Sequence, residues 1–284
     1  MTHAEPWLQT AVPTRARAYL YRSRRFQVAL ALLCLWLVAA LVADLGGETG
    51  SVANTLHGAR GSAIAVVGVL AISVPLGWAL GLLAGAGPRI ADTLLARATE
   101  LGGLLPTVVL VAVVKAAEPM PTTASFVLVV GLTRALYLAR LVRGEALRVS
   151  HATHVMAARA LGVSRLRVLT GHVSPLTLGP LLVGAAFTAA ATVGLEAALS
   201  LIGLGLPEGA ASWGSQLSSS SGPAAAALAV AAALATGACA LLADALDDAL
   251  SPRRSIRGLP VCRNRPPVQS PSPLINGDLP GTKH

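Results

Sequence analysis

The sequence predicts an all-α fold, a polytopic membrane bundle of six transmembrane helices. The prediction rests on composition, on apolar runs and on the placement of positive charge. Hydrophobic residues make up 54% of the 284 residues and charged residues 12%, whereas soluble domains contain about 25% charged residues. The mean hydropathy of +0.66 excludes a disordered chain, and three cysteines in this length exclude a disulfide-rich scaffold.

Six runs are apolar enough to cross a bilayer, which requires about 20 helical residues. They are 26–44, 62–86, 101–117, 122–139, 178–202 and 224–243. The third run is the shortest and contains Lys115, whose long side chain can extend to the membrane surface. In the second run, Gly77, Gly81 and Gly85 form a stripe of small residues that favours close packing against another helix.

The positive charges predict how the chain is oriented. With the N-terminus inside, 19 of the 22 Lys and Arg residues lie in the inner segments 1–25, 87–99, 140–176 and 244–284, and one lies in an outer segment. Because short cytoplasmic segments retain positive charge, we expect a multi-pass protein of the cytoplasmic membrane with both termini in the cytoplasm.

The same pattern divides the chain into three parts. A basic N-terminal segment, 1–25, precedes a membrane domain over 26–250, and a tail follows over 251–284. Repeated prolines in the tail interrupt regular structure. We therefore expect the tail to be disordered and cytoplasmic.

The longest polar segment between two spans is 140–176, between the fourth and fifth. It has apolar residues at helical spacing, namely Val155, Ala158 and Leu161 followed by Leu166 and Leu169. Gly162 separates the two patches and is suited to end a helix in a left-handed turn. Pro175 suits the first turn of the next span. We expect one or two short amphipathic helices here.

These residues also resemble a known family. The run Met156-Ala157-Ala158-Arg159-Ala160-Leu161-Gly162, followed by Pro175, resembles the EAA loop of permease subunits of binding-protein-dependent ABC importers. Four other segments resemble the dipeptide, oligopeptide and nickel subgroup in the expected order. They are His57–Ser62, Ala139–Gly144, Glu196–Gly205 with Ser212-Trp213-Gly214, and Leu241–Arg253.

The resemblance implies a permease subunit, the second of a pair, that translocates a di- or oligopeptide, or nickel, across the membrane. It implies cytoplasmic ATPase subunits, a second homologous permease and an extracytoplasmic solute-binding protein as partners, with membrane lipid around the spans. In the family, the loop forms a coupling helix that docks on the ATPase. The matching residues are Ala157, Ala158, Arg159, Leu161, Gly162 and Pro175.

The sequence departs from the family pattern at several positions. Met156 replaces the glutamate of the motif, and Ser174 replaces the usual leucine before Pro175. Arg134 and Ala135 stand about where the family tends to carry tryptophan. These departures leave open a degenerate subunit that assembles without transporting.

Two charged residues within the predicted spans are candidates for the translocation path, because intramembrane charges are costly unless they have a role. Glu196 lies toward the outer end of the fifth span and Arg134 lies within the fourth. A structural hydrogen bond is the alternative for Glu196. Extension of the side chain to the membrane surface is the alternative for Arg134.

Other classes of function lack their motifs. The chain has no Gly-x-Ser-x-Gly elbow and no His-Glu-x-x-His metal spacing, so we expect neither an enzyme nor a metal or cofactor site. It also lacks a P-loop, so ATP hydrolysis would belong to another subunit. The net charge of +9 comes with 4% aromatic residues, which disfavours nucleic-acid binding. A secondary transporter remains the main rival to the importer.

Overall fold

The computed structural model describes residues 23–42, 51–87, 89–104, 106–118, 122–207 and 211–250. Within these ranges every regular element is helical. The predicted tail over 251–284 and nearly all of the predicted segment 1–25 lie outside the described residues. The all-α prediction is confirmed for the described part.

Ten α-helices and one π-turn make up the described structure. They are α1 (Arg24–Val42), α2 (Ser51–Ala86), α3 (Arg89–Leu104), α4 (Thr107–Ala117), α5 (Thr123–Ser150), α6 (Thr153–Ala160), α7 (Arg165–Val168), the π-turn Leu169–Val173, α8 (Ser174–Leu201), α9 (Trp213–Ser219) and α10 (Gly222–Leu250).

Five helical stretches are long and apolar enough to cross a membrane. They are Arg24–Val42, Thr55–Ala86, Thr123–Ser150, Arg165–Leu201 and Gly222–Leu250. They contain most of the predicted first, second, fourth, fifth and sixth spans. Five of the six predicted spans therefore correspond to helices that are long and apolar enough to cross a membrane.

The predicted third span, 101–117, is not one helix. Helix α3 ends at Leu104, and α4 begins at Thr107 with Pro106 at its N-cap. The chain breaks here because proline has no N–H with which to continue the preceding helix. With 11 residues, α4 extends about 16 Å, which is shorter than a bilayer core of about 30 Å.

The predicted loop 140–176 is also shorter than expected. Helix α5 continues eleven residues past the predicted end of the fourth span, to Ser150, and α8 begins at Ser174. Hydropathy indicates where a helix leaves the lipid but not where the helix ends. The prediction therefore includes the polar last turns of α5 in the loop. The segment between the two helices is 151–173, which we call the connecting loop.

The glycine stripe of α2 packs against α5, as the sequence predicts. An added Cβ at Gly77 would lie 2.7 Å from Leu138 Cβ, and one at Gly81 would lie 2.6 Å from Val142 Cβ. At Gly85 it would meet Ala146 Cβ at 2.6 Å. Such distances are closer than carbon atoms tolerate, so the three glycines set the separation of the two helices.

The remaining long helices pack around this pair. Helix α10 lies against α8 and α1, and α8 contacts both α2 and α5. A core of small and aromatic residues joins α1, α2, α8 and α10, including Trp36, Ala189 and Ala235. A second core, which includes Leu138 and Leu181, joins α2, α5 and α8 to the connecting loop.

Candidate functional site

The connecting loop contains a short helix that ends at a glycine. The Gly162 N–H donates to the Arg159 carbonyl at 3.0 Å, and the Val163 N–H donates to the Ala158 carbonyl at 3.1 Å. Gly162 has a φ of 81°, so this is the paired hydrogen-bond pattern of a helix closed by a left-handed residue. Gly162 therefore ends α6 as the sequence predicts.

Three buried valines attach the connecting loop to the bundle. Val155 of α6, Val168 of α7 and Val173 of the π-turn lie in the same core as Leu138 and Val142 of α5. Each valine is almost fully buried. The loop is therefore fixed to α5 and α8 along one side.

The other side of the connecting loop exposes large apolar side chains. Met156 is 52% exposed, Leu161 85% and Leu166 70%. Ala157 and Arg159 are exposed and Ala158 is half-buried. The helical spacing of Val155 and Leu161 predicts that both lie on one apolar face. Instead, Val155 points into the core, whereas Leu161 follows the end of α6 and faces outward.

Pro175 occupies the first turn of α8, as predicted. Proline suits a first helical turn because its fixed φ is helical and the N–H that it lacks would have had no helical acceptor there. The π-turn Leu169–Val173 leads directly into α8 without an intervening coil. The end of the connecting loop is therefore continuous with a membrane-spanning helix.

A second group of residues forms a buried polar cluster around Glu196 of α8. The carboxylate accepts hydrogen bonds from Ser212 Oγ at 2.6 Å, Ser200 Oγ at 2.9 Å and Ser62 Oγ at 3.3 Å. The Gly214 N–H donates to it as well. Glu196 is 1% exposed. We call these five residues the Glu196 cluster.

Two tryptophans extend the Glu196 cluster. The Trp213 N–H donates to Ser62 Oγ at 3.3 Å, and its indole N–H donates to the Thr55 carbonyl at 2.9 Å. The indole stacks on Trp36 with ring centroids 5.6 Å apart. Trp36 in turn donates to the Ala59 carbonyl at 3.2 Å. These contacts fasten α9 to α1 and α2.

A family model described as "Binding-protein-dependent transport system inner membrane component" matches residues 77–256, which is more than half of the chain and includes the connecting loop and Glu196. The chain belongs to this family. As a transport component, a member of this family is a membrane protein and not an enzyme.

Curated relatives agree with this family. One Brucella ovis protein named as a peptide permease is 33% identical over 165 residues, 58% of this chain and 54% of the relative. A Brucella suis protein named as a peptide transport system permease is 36% identical over 162 residues, 57% of this chain and 54% of the relative. The chain spans about half the length of the curated relatives it matches.

A third relative has a more specific name. It is an Escherichia coli K12 protein named for a D,D-dipeptide transport system permease, and it is 32% identical over 164 residues. These residues cover 58% of this chain and 55% of the relative. All three names describe permeases of peptide transport systems.

In this member of the family, three sequence segments singled out by the resemblance meet at the Glu196 cluster. Ser62 comes from the 57–62 segment, Glu196 and Ser200 from the 196–205 segment, and Ser212 from the 212–214 segment. The motifs indicated that these residues matter, but 134 positions separate Ser62 from Glu196. Sequence reasoning therefore missed their contact.

The geometry favours the structural alternative for Glu196. Its oxygens are occupied by donors of its own chain. A cavity of about 280 Å³ opens beside Gly61, Thr123 and Ala211, but Glu196 is not among its lining residues. A place for Glu196 in the translocation path stays a prediction without support from these contacts.

Arg134 of α5 contrasts with Glu196. It is half-buried, and its Nε is enclosed without a hydrogen-bond partner among the described residues. Among the described residues, no hydrogen bond or ion pair joins Arg134 to Glu196. Within the described residues, no three His, Cys, Asp or Glu side chains come together in a way that could hold a metal ion.

Proposed function

We propose that this chain is a permease subunit of an ATP-driven importer, in which a cytoplasmic ATPase docks on the connecting loop. One observation supports the proposal above all others. The loop is held to the bundle by buried Val155, Val168 and Val173, while Met156, Leu161 and Leu166 are exposed. Large apolar side chains exposed to water are unfavourable, and a protein partner would cover them.

The charge of the connecting loop suits an acidic partner. Arg159, Arg165 and Arg167 are exposed beside the apolar side chains, and small Ala157 leaves room for close approach. An apolar centre with a charged rim is the usual composition of a protein interface. Because the loop continues into α8, a push on the loop would move a membrane-spanning helix.

The topology is part of this proposal. We place both termini in the cytoplasm, because the inner segments hold most of the Lys and Arg residues. The connecting loop is then cytoplasmic. We further propose that the end of α3 and α4 together form the third of six membrane crossings, as a broken helix. Membranes tolerate such a break where neighbouring helices cover it.

The solute and the remaining partners are also proposals. The relatives are named for peptide and D,D-dipeptide transport, which supports a di- or oligopeptide, and the resemblance leaves nickel as the second choice. A second homologous permease would complete the membrane pathway. A solute-binding protein outside the membrane would deliver the solute, as the family's description suggests.

Gly162→Asp tests the coupling role directly. A side chain at Gly162 meets nothing within 4 Å, so the bundle should insert normally. Aspartate is one of the few residues with a Cβ that can adopt the φ of 81° found at Gly162, so the main change is a new carboxylate among the exposed arginines. We expect ATP-dependent uptake and ATPase copurification to be lost, whereas normal uptake would contradict the coupling assignment.

Gly144→Asp is the matched control. Gly144 is exposed on α5, outside the connecting loop, and also has nothing within 4 Å of an added Cβ. The same new charge at this site should leave uptake intact. ATP-independent uptake by the wild type would favour a secondary transporter, and assembly with an ATPase without any uptake would indicate a degenerate subunit.

A further inference from the structure

Arg134 lies deep in a membrane-spanning helix. It follows the first residue of α5, Thr123, by eleven positions, which is about 16 Å along the helix axis. A bilayer core is about 30 Å thick. The predicted span over 122–139 therefore places Arg134 inside the lipid core, about 18 Å from its outer end and about 8 Å from its inner end.

Within the described residues, nothing neutralises this charge. The Nε of Arg134 is the one buried arginine nitrogen without a hydrogen-bond partner there. Two other arginines of α5 are paired, since Arg143 bonds to Asp92 and Arg148 bonds to Glu145 at 2.5 Å. A guanidinium inside the lipid core is unfavourable unless an anion accompanies it. We therefore expect an anion from outside the described residues to bind Arg134.

The tip of the Arg134 side chain is accessible to such a partner. The side chain is only half-buried, and Nε is the one guanidinium nitrogen that is both enclosed and without a hydrogen-bond partner among the described residues. Tyr137 lies one helical turn away on the same face of α5 and is 48% exposed. The two side chains together offer the paired N–H donors of a guanidinium and a phenol, a combination that suits a carboxylate.

We propose that Arg134 binds a carboxylate of the transported solute within the membrane and makes the importer selective for anionic groups. The proposal rests on the proposed function and adds the chemistry that one point of the pathway recognises.

The test compares uptake of two solute mixtures by the reconstituted complex with its binding protein. One is a mixture of dipeptides with free carboxylates, and the other contains the same dipeptides as C-terminal amides. Uptake of each mixture by a variant is divided by wild-type uptake, which cancels the binding protein's own preference. Arg134→Gln should slow uptake of free dipeptides about tenfold, the value of one charge-assisted hydrogen bond, and leave the amides unchanged.

Two further variants separate recognition from structure. Arg134→Lys keeps the charge and should retain much of the uptake of free dipeptides. Arg140→Gln removes an exposed arginine from the same helix and should leave both mixtures at wild-type rates. Assembly of each variant is checked by size-exclusion chromatography.

Three results would overturn the inference. One is unchanged uptake of free dipeptides by Arg134→Gln. Another is an equal loss for both mixtures in an assembled complex, which would point to a carboxylate of the second permease as the partner of Arg134. The last is a wild-type complex that takes up neither mixture in an ATP-dependent way. This result would refute the proposed function itself, and it is distinguishable from the other two because it requires no variant.

Discussion

The Glu196 cluster and the connecting loop both join helices, but they differ in how far their side chains are buried. In the cluster, one carboxylate is 1% exposed and takes donors from α2, α8 and the start of α9. In the loop, three buried valines hold one side while Leu161 on the other side is 85% exposed. The carboxylate of the cluster is bonded within the chain, whereas the loop leaves large apolar side chains exposed.

This difference separates a part of the molecule that maintains the arrangement of the helices from a part that we propose binds a partner. A buried and fully bonded polar network specifies one arrangement of its helices. An anchored loop with an apolar outer side keeps its position while it presents a surface. Substitutions in the cluster should therefore affect folding, and substitutions on the outer side of the loop should affect assembly.

The largest effect is expected from Glu196→Ala. Three buried hydroxyls and one N–H lose their acceptor, and each unsatisfied group costs about 1–3 kcal/mol, so we expect a loss of stability of roughly 3 kcal/mol or more. The thermal unfolding midpoint in detergent measures it. Glu196→Gln, which keeps one acceptor oxygen, should lose about 1 kcal/mol. If the alanine variant unfolds like the wild type, the cluster does not stabilise the fold.

One substitution made in both regions sharpens the comparison. Gly214→Ala would place a Cβ 2.6 Å from Ser200 Oγ and 2.7 Å from Glu196 Oε1, and overpacking of this kind costs about 1–3 kcal/mol. Gly162→Ala meets nothing within 4 Å and is disfavoured only by its positive φ, at about 1 kcal/mol. Chemical or thermal unfolding should rank Gly214→Ala as the more damaging change. The reverse order would contradict the contrast between the regions.

The two sides of the connecting loop provide the next comparison. Val155→Ala removes two buried methyl groups and should cost about 1–3 kcal/mol of stability. Leu161→Ala truncates an exposed side chain and should change stability by no more than about 0.5 kcal/mol, yet weaken binding of the proposed ATPase by about 1–2 kcal/mol. Unfolding and pull-down measurements on both variants check this. Equal ATPase binding by Leu161→Ala and wild type would remove Leu161 from the docking surface.

The sequence predicted what depends on local composition. Five spans follow from hydropathy alone, and the end of α6 follows from Gly162 because a left-handed turn needs that residue. The break between α3 and α4 has a local cause in Pro106, but the prediction of a span over 101–117 rests on apolar character alone. A long apolar run and an uninterrupted helix are different properties.

What depended on distant contacts could not be predicted. The donors to Glu196 come from segments far apart in sequence, and no periodicity indicates which serine reaches which carboxylate. The inward position of Val155 and the outward position of Leu161 depend on where α6 rests against α5. The isolation of Arg134 is a property of its surroundings in three dimensions, although its placement in a span already made it a candidate.

The smallest effect concerns a carboxylate that, unlike Glu196, is partly exposed. Asp92 of α3 pairs with Arg143 of α5, and this hydrogen bond holds the pKa of Asp92 below its ordinary value of 3.8. A lowered pKa stabilises the fold above pH 3.8, and the contribution is lost as the pH falls further. Because the pair is partly solvated, Asp92→Asn should cost less than about 1 kcal/mol at pH 7. The unfolding midpoints of the variant and the wild type should converge below pH 3.8, and a constant difference would show that Asp92 acts through packing rather than charge.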